Sequence, residues 1–304
     1  MDLTPFTSGS RPFDHAALIA AVEDLRQDFP ILSFNYLGNS ILGRGIPLLS
    51  LGHGRRQLLY VGAHHGMEWI TSLLLVELVR DLCLQITENH APYGLSARLF
   101  ADTCTLHIVP MLNPDGVEYQ LHGVEDSNPI RDRLIAMNGG EDFSHWQANA
   151  RGVDLNHNYD ADFWDYRRLA AQNGIDAPSP TRYAGERPAS EPEVASLCNF
   201  IRYHTPISGI LTLHTQGEEI FVSPNASRRT VAAAAHFSAL CGYSVKNAEG
   251  LASMSGLSDW CAKVCDVPAF TIECGRGVNP LPATDAPLIY RTLRRALLRF
   301  PTLV

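Results

Sequence analysis

Apolar positions along this chain alternate between two spacings from end to end. Leu18, Ile19, Val22 and Leu25 recur at helical spacing behind Asp14, whose short carboxylate suits an N-cap, and Pro30 closes the run. Ile31 to Leu37 and Ile46 to Leu51 then read as strands around Gly43-Arg44-Gly45. Gln57 to Ala63 is an unbroken apolar run, and Glu68 opens a long helical-period segment reaching about Thr87. With Thr105 to Pro110 as the next strand, these make a strand–helix–strand unit. From Met111 to about Pro206 the periodic signals thin out while Asn, Asp, Gly, Pro and aromatic residues accumulate, which predicts a set of functional loops. A strand at Gly209–His214, a helix at Arg229–Cys241 and a short helix at Leu257–Val264 follow. A strand at Ala269–Glu273 and a last helix at Leu288–Phe300 complete the chain. Such alternation predicts an α/β fold, a mixed and largely parallel sheet with helices on both faces.

No linker, charge block or repeat interrupts the pattern, so residues 1–304 read as a single domain. A net charge of −8 supplies no basic footprint for nucleic acid. The richest apolar window, Ser72 to Val79, contains Glu77 and is too short for a membrane span. Met1 to Pro12 lacks the pattern of a signal peptide, and the seven cysteines are scattered, so a reducing, cytoplasmic location is expected. Cys261 and Cys265 have no second pair and read as core thiols.

The chemistry-bearing residues gather at predicted strand ends. His65 and Glu68 follow the strand that ends at Ala63, and His214 ends another. Together they offer a His₂Glu ligand set that leaves one position on zinc open for water. His-x-x-Glu alone arises readily by chance in a chain with 12 histidines; its place at the C-terminal end of a strand is what gives it weight. His64 reads as a neighbour of the ligands and not as one of them. Glu273 ends a third apolar strand, where partial desolvation raises a carboxylate pKa toward that of a useful general base. On its own it is equally an ordinary solvated strand-end residue.

Five ordered blocks resemble the M14 family of zinc carboxypeptidases. They are Ala63-His64-His65-Gly66-Met67-Glu68-Trp69-Ile70-Thr71, Asn113-Pro114-Asp115-Gly116, Gly152-Val153-Asp154-Leu155-Asn156, Leu213-His214-Thr215, and Asp259-Trp260 fourteen residues before Glu273. The resemblance implies one zinc on His65, Glu68 and His214, Glu273 as catalytic base, and a carboxypeptidase-like sheet of about eight strands. Family members hold an oxyanion-stabilising arginine upstream of the Gly-Val-Asp segment. Gln147 stands after Trp146, where many digestive members have it, so the role is assigned to Arg151. Asn156 matches a substrate-binding position, but His157 follows it where digestive members carry the arginine that clamps a terminal carboxylate. Counting back eight residues from Asp259 to the family tyrosine lands on Leu251.

The segments around Asn149–Asn156, His214–Glu219 and Ile272–Gly277 resemble the bacterial γ-D-glutamyl-diamino-acid peptidases, whose substrates are cell-wall peptides. That implies a small peptide substrate, such as a muropeptide. Arg276, just past Glu273, and the small polar Ser258 are further candidate substrate contacts, with a structural ion pair an equal reading for Arg276. A deacylase of small N-acyl amino acids, a conventional metallocarboxypeptidase and a non-enzymatic peptide-binding module are the competing readings. Trp69-Ile70-Thr71, the Asn-Pro-Asp-Gly turn and Asp259-Trp260 favour a peptidase, and retention of Glu273 favours an enzyme.

Overall fold

Leu58, Leu59, Tyr60 and Val61 are all fully buried because the strand they form is covered on both faces. The computed structural model describes residues 12–91, 96–203 and 206–304. Its strands are β1 (Leu32–Asn39), β2 (Gly45–Gly52), β3 (Arg56–Gly62), β4 (Cys104–Val109), β5 (Ile207–His214), β6 (Glu219–Val222), β7 (Ser244–Asn247) and β8 (Ala269–Glu273). They form one eight-stranded sheet in the order β1-β2-β4-β3-β5-β8-β6-β7. The central run β4-β3-β5-β8 is parallel, while β1, β2 and β6 join antiparallel to their inner neighbours. The result is a single α/β domain with a mixed sheet, as the alternation predicts.

Alternate side chains of β3 feed two cores. Leu58 and Tyr60 face α1 (His15–Asp28), α2 (Ile70–Thr87), α8 (Arg228–Cys241) and α10 (Ala286–Arg299). Leu59 and Val61 face α7 (Pro192–Tyr203) and α9 (Leu257–Trp260). The first helix begins where its cap requires, with Ala17 N–H donating to Asp14 Oδ1 at 2.8 Å, and buries Leu18, Ala21, Val22 and Leu25. Ile19 is only half-buried. Thirteen of the eighteen residues of α2 are buried, which makes it a core helix and not a surface one. Its buried Asp81 accepts hydrogen bonds from Tyr290 Oη at 2.8 Å and Arg294 Nη2 at 2.9 Å, pinning α2 to α10.

The structure departs from the sequence reading in three places. The stretch read as loops, Met111 to Pro206, contains α4 (Pro114–His122), α5 (Arg131–Asn138), α6 (Phe163–Gln172) and α7. The start of α4 was signalled, since Asn113 caps it and Pro114 takes its first position, but its mixed polarity hides the period. The short elements α3 (Ala97–Thr103), β6 and β7 give little pattern, and every residue of β7 is exposed. The helix read over Leu257–Val264 is one turn of α-helix followed by a π-helical turn at Cys261–Cys265. Both of those cysteines are free, Cys261 buried and Cys265 half-buried. No helix among the described residues is long and apolar enough to cross a membrane, and the reading of the extreme N-terminus, Met1 to Arg11, lies outside the described residues.

Candidate metal centre

Three parallel strands deliver the site. β5 and β8 end at His214 and Glu273, which are register partners, and β3 ends three residues before His65. This is the C-terminal edge of the parallel strands, where open α/β sheets place their ligands. Beyond β3 the chain turns through Ala63 (φ 46°) into a 3₁₀ turn at Gly66–Glu68. Thr71 Oγ1 accepts from Ala63 N–H and donates to the Glu68 carbonyl, both at 2.8 Å, fastening the turn to α2. The Asn-Pro-Asp-Gly block braces it from outside. Asn113 Nδ2 donates to the His64 carbonyl at 3.0 Å, and Gly66 packs so closely that a Cβ would lie 2.3 Å from the Gly116 oxygen.

His65, Glu68 and His214 each offer a donor atom within 4.8 Å of the others. The two Nδ1 atoms of His65 and His214 face each other at 3.3 Å, and His65 Nδ1 lies 3.0 Å from Glu68 Oε1. His214 Nδ1 is 2.9 Å from Glu68 Oε2 without the alignment of a hydrogen bond, and Oε2 is a buried atom with no hydrogen-bond partner. Two imidazole nitrogens and a carboxylate converging in a buried space suit a divalent cation that takes mixed N/O ligands. The orphaned Oε2 is the atom that such an ion would satisfy.

A second layer fixes the first. Asp154 Oδ1 lies 3.1 Å from His65 Nε2, which leaves Nδ1 of that ring as the free donor. Burial would raise the carboxyl pKa values of both Asp154 and Glu68. The facing histidines outweigh it, holding Glu68 at about 2 and Asp154 well below the usual carboxylate range. For His65, burial lowers the pKa, but Glu68 and Asp154 raise it well above the ordinary imidazole value. His64 is fully buried and stacks on His214 with ring centroids 5.1 Å apart. Its Nε2 lies 3.0 Å from Tyr159 Oη, and burial followed by repulsion from His214 and His65 pushes its pKa well down. His64 therefore packs against a candidate ligand and is not placed as one itself.

Glu273 is half-buried at the mouth of the same edge. Burial and the nearby Glu68 and Glu219 push its carboxyl well above the usual range, against a lowering by His65. A partly desolvated carboxyl beside a candidate metal triad is placed to exchange a proton with a group bound there.

The remaining candidates are dispersed. Asn156 Oδ1 accepts from Leu257 N–H at 3.2 Å, which brings Asn156 against the first turn of α9, where Ser258 is half-buried. His157 is buried, its ring stacked on Tyr166 at 4.0 Å with Nδ1 3.1 Å from the Met254 carbonyl. A buried, stacked ring thus occupies this position. The backbone of Ser255 also bonds Ala161 and Tyr159, at 2.8 and 3.1 Å, and Leu251 packs on the cluster around Phe163 and Tyr166. Arg276 is exposed, and its Nε pairs with Glu218 Oε2 at 2.6 Å. Arg151 is not brought to the triad. Its Nη1 faces Glu191 Oε2 at 3.7 Å, in a cavity that none of the three ligands lines. Gln147 stays closer, its carbonyl accepting from Gly66 N–H at 2.9 Å. Asp154 was the residue missed by sequence reasoning, although it stood inside the Gly-Val-Asp block.

Comparison with known proteins gives the family. The family model described as zinc carboxypeptidase matches residues 18–278. The chain is 32% identical over 290 residues to gamma-D-glutamyl-L-diamino acid endopeptidase 1 of Lysinibacillus sphaericus, covering 93% of this chain and 71% of that protein. Among solved structures, thrombin activatable fibrinolysis inhibitor superposes with a TM-score of 0.76 at 16% identity, covering 96% of this chain and 74% of the other. The murein-tripeptide amidase MpaA of Escherichia coli O157 gives 0.53 at 20% identity, covering 87% and 91%. These two share the fold. On the extent of the family match and the identity to the endopeptidase, the chain belongs to the zinc carboxypeptidase family of peptidases, and is a hydrolase.

Proposed function

We propose that the protein is a zinc-dependent peptidase that hydrolyses the γ-D-Glu–diamino-acid bond of small cell-wall peptides. The observation that carries the metal chemistry is the convergence of His65, Glu68 and His214 around a buried, unpartnered carboxylate oxygen, with Glu273 at the adjoining strand end. Zinc bound by those three side chains would supply Lewis acidity and an acidified water. The chain's own residues do the rest. Asp154 keeps the His65 ring turned so that Nδ1 faces inward, and Glu273 takes the proton of the attacking water and returns it to the leaving amine. Arg151 is left out of this reading, because it lines a cavity apart from the three candidate ligands.

The substrate class rests on the relative named for that bond and on the fate of the clamp position. With the His157 ring stacked and its Nδ1 on a backbone carbonyl, no fixed guanidinium stands there to grip a terminal carboxylate. Asn156, Ser258 and Arg276 remain as polar contacts, and a substrate carboxylate would compete with Glu218 for Arg276.

The test is an assay of L-Ala-γ-D-Glu-diaminopimelate beside hippuryl peptides and N-acyl amino acids. Release of diaminopimelate, with little turnover of the others, is expected. Turnover of hippuryl peptides alone would replace the cell-wall substrate with an ordinary carboxypeptidase one. Turnover of N-acyl amino acids alone would make the protein a deacylase.

A further inference from the structure

Arg151, unused at the metal centre, lines a cavity of about 390 Å³ together with Arg133 of α5 and Arg187. The cavity lies behind the Asp154 segment, and its wall includes Val153 and Tyr183, whose carbonyl accepts from Asp154 N–H at 2.7 Å. Three guanidinium groups on one cavity are conspicuous in a chain whose net charge is −8.

Their countercharge is largely committed elsewhere. Glu191 is buried, and its oxygens accept from Asn149 Nδ2 at 2.7 Å and Ser190 Oγ at 2.8 Å. Arg151 meets it only at 3.7 Å, and its side chain stays 57% exposed. Arg133 and Arg187 are exposed and make no ion pair among the described residues, although the exposed Glu186 shares the cavity. Three cations thus face a space with one uncommitted carboxylate. Arginine forks match planar oxyanions in bidentate fashion, and the volume falls in the range of small-molecule sites.

The remaining wall decides which kind of anion fits. Ile130, Met137, Val153 and Pro178 add apolar surface to the same cavity as the arginines. A bare inorganic ion leaves that surface unused, whereas an organic acid covers it. We propose that this cavity binds the carboxylate of a small organic acid, at a site separate from the metal centre.

Isothermal titration of glutarate into the metal-loaded enzyme tests this, with inorganic phosphate as the second probe. Saturable glutarate binding is expected, weakened roughly tenfold or more in Arg133→Gln/Arg187→Gln and unchanged in Arg229→Gln, an exposed residue of α8. Met137→Trp, which covers the apolar surface and keeps the charges, should also abolish it. Both cavity substitutions change partly or fully exposed side chains, and unaltered circular dichroism and zinc content would show that they fold. Undiminished binding in both cavity variants would put glutarate on the metal and overturn the proposal. So would an equal loss in Arg229→Gln, which indicates general charge screening, or phosphate binding as tightly as glutarate. Absence of any glutarate binding overturns it outright.

Discussion

His214 and Glu273 are cross-strand partners at the ends of parallel β5 and β8, and Cys274 N–H donates to the His214 carbonyl at 2.8 Å just beyond them. A metal-ligand candidate and the candidate base are therefore spaced by the sheet's own hydrogen bonds and not by loops. Sites built on regular elements hold their geometry more tightly than sites built on connections. The variants below can accordingly be read as chemistry, with little collapse of the frame.

His214→Ala removes one of three donors and leaves Glu68 Oε2 without its intended occupant. Zinc content by elemental analysis and peptidase activity should fall together. Full zinc in the purified variant would rule this residue out as a ligand.

Glu273→Gln should keep its zinc, because the residue faces the site from the adjoining strand. Its kcat should drop by roughly 10²–10⁴-fold, the usual worth of a positioned acid–base group. A zinc-replete variant with near-normal kcat would move the base elsewhere.

Asp154→Asn exchanges the carboxylate that orients His65 for a neutral amide at the same 3.1 Å contact. Zinc affinity measured by competition with a chelator should fall by about 10–100-fold. Unchanged affinity would mean that the ring needs no such partner.

Glu193 carries a pH-dependent part of the stability. It is buried, accepts from Ile41 N–H at 3.2 Å, and has Asp115 and Glu191 as acidic neighbours. Burial, followed by those two carboxylates, raises its carboxyl from 4.5 to about 7. A raised folded-state value means that the folded form holds the proton longer than the unfolded form. The contribution is complete below pH 4.5 and is lost as pH rises through about 7, a span worth at most on the order of 3 kcal/mol. Glu193→Gln should flatten the decline in Tm between about pH 5 and pH 8. Parallel Tm profiles for the two proteins would show that Glu193 does not titrate there.

Much of the site was legible because strand ends announce themselves. The apolar runs before Ala63, His214 and Glu273 marked where three candidate side chains would emerge, and adjacent parallel strands bring them side by side. The sequence around Arg151 could not show that its guanidinium would face Glu191, forty residues away, since the two meet only in the folded chain. His157 was legible as a substitution but not as a stacked ring, since Tyr166 and the Met254 carbonyl meet it only in the folded chain. The helices α4 to α6 are short, and α5 buries only Leu134, so they give little apolar period. In α7 the buried Val194, Leu197, Cys198 and Ile201 do recur at helical spacing, a signal that the surrounding loop-like composition masked.

The backbone tethers that hold Met254 and Ser255 against residues 157–161 have an energetic consequence. Ordering a residue costs about 1–2 kcal/mol of conformational entropy, and here that cost falls on folding and not on each encounter with a ligand. A peptide that docks beside Asn156, as proposed, would meet a rim that these bonds already order, and would lose less of its contact energy to shaping it.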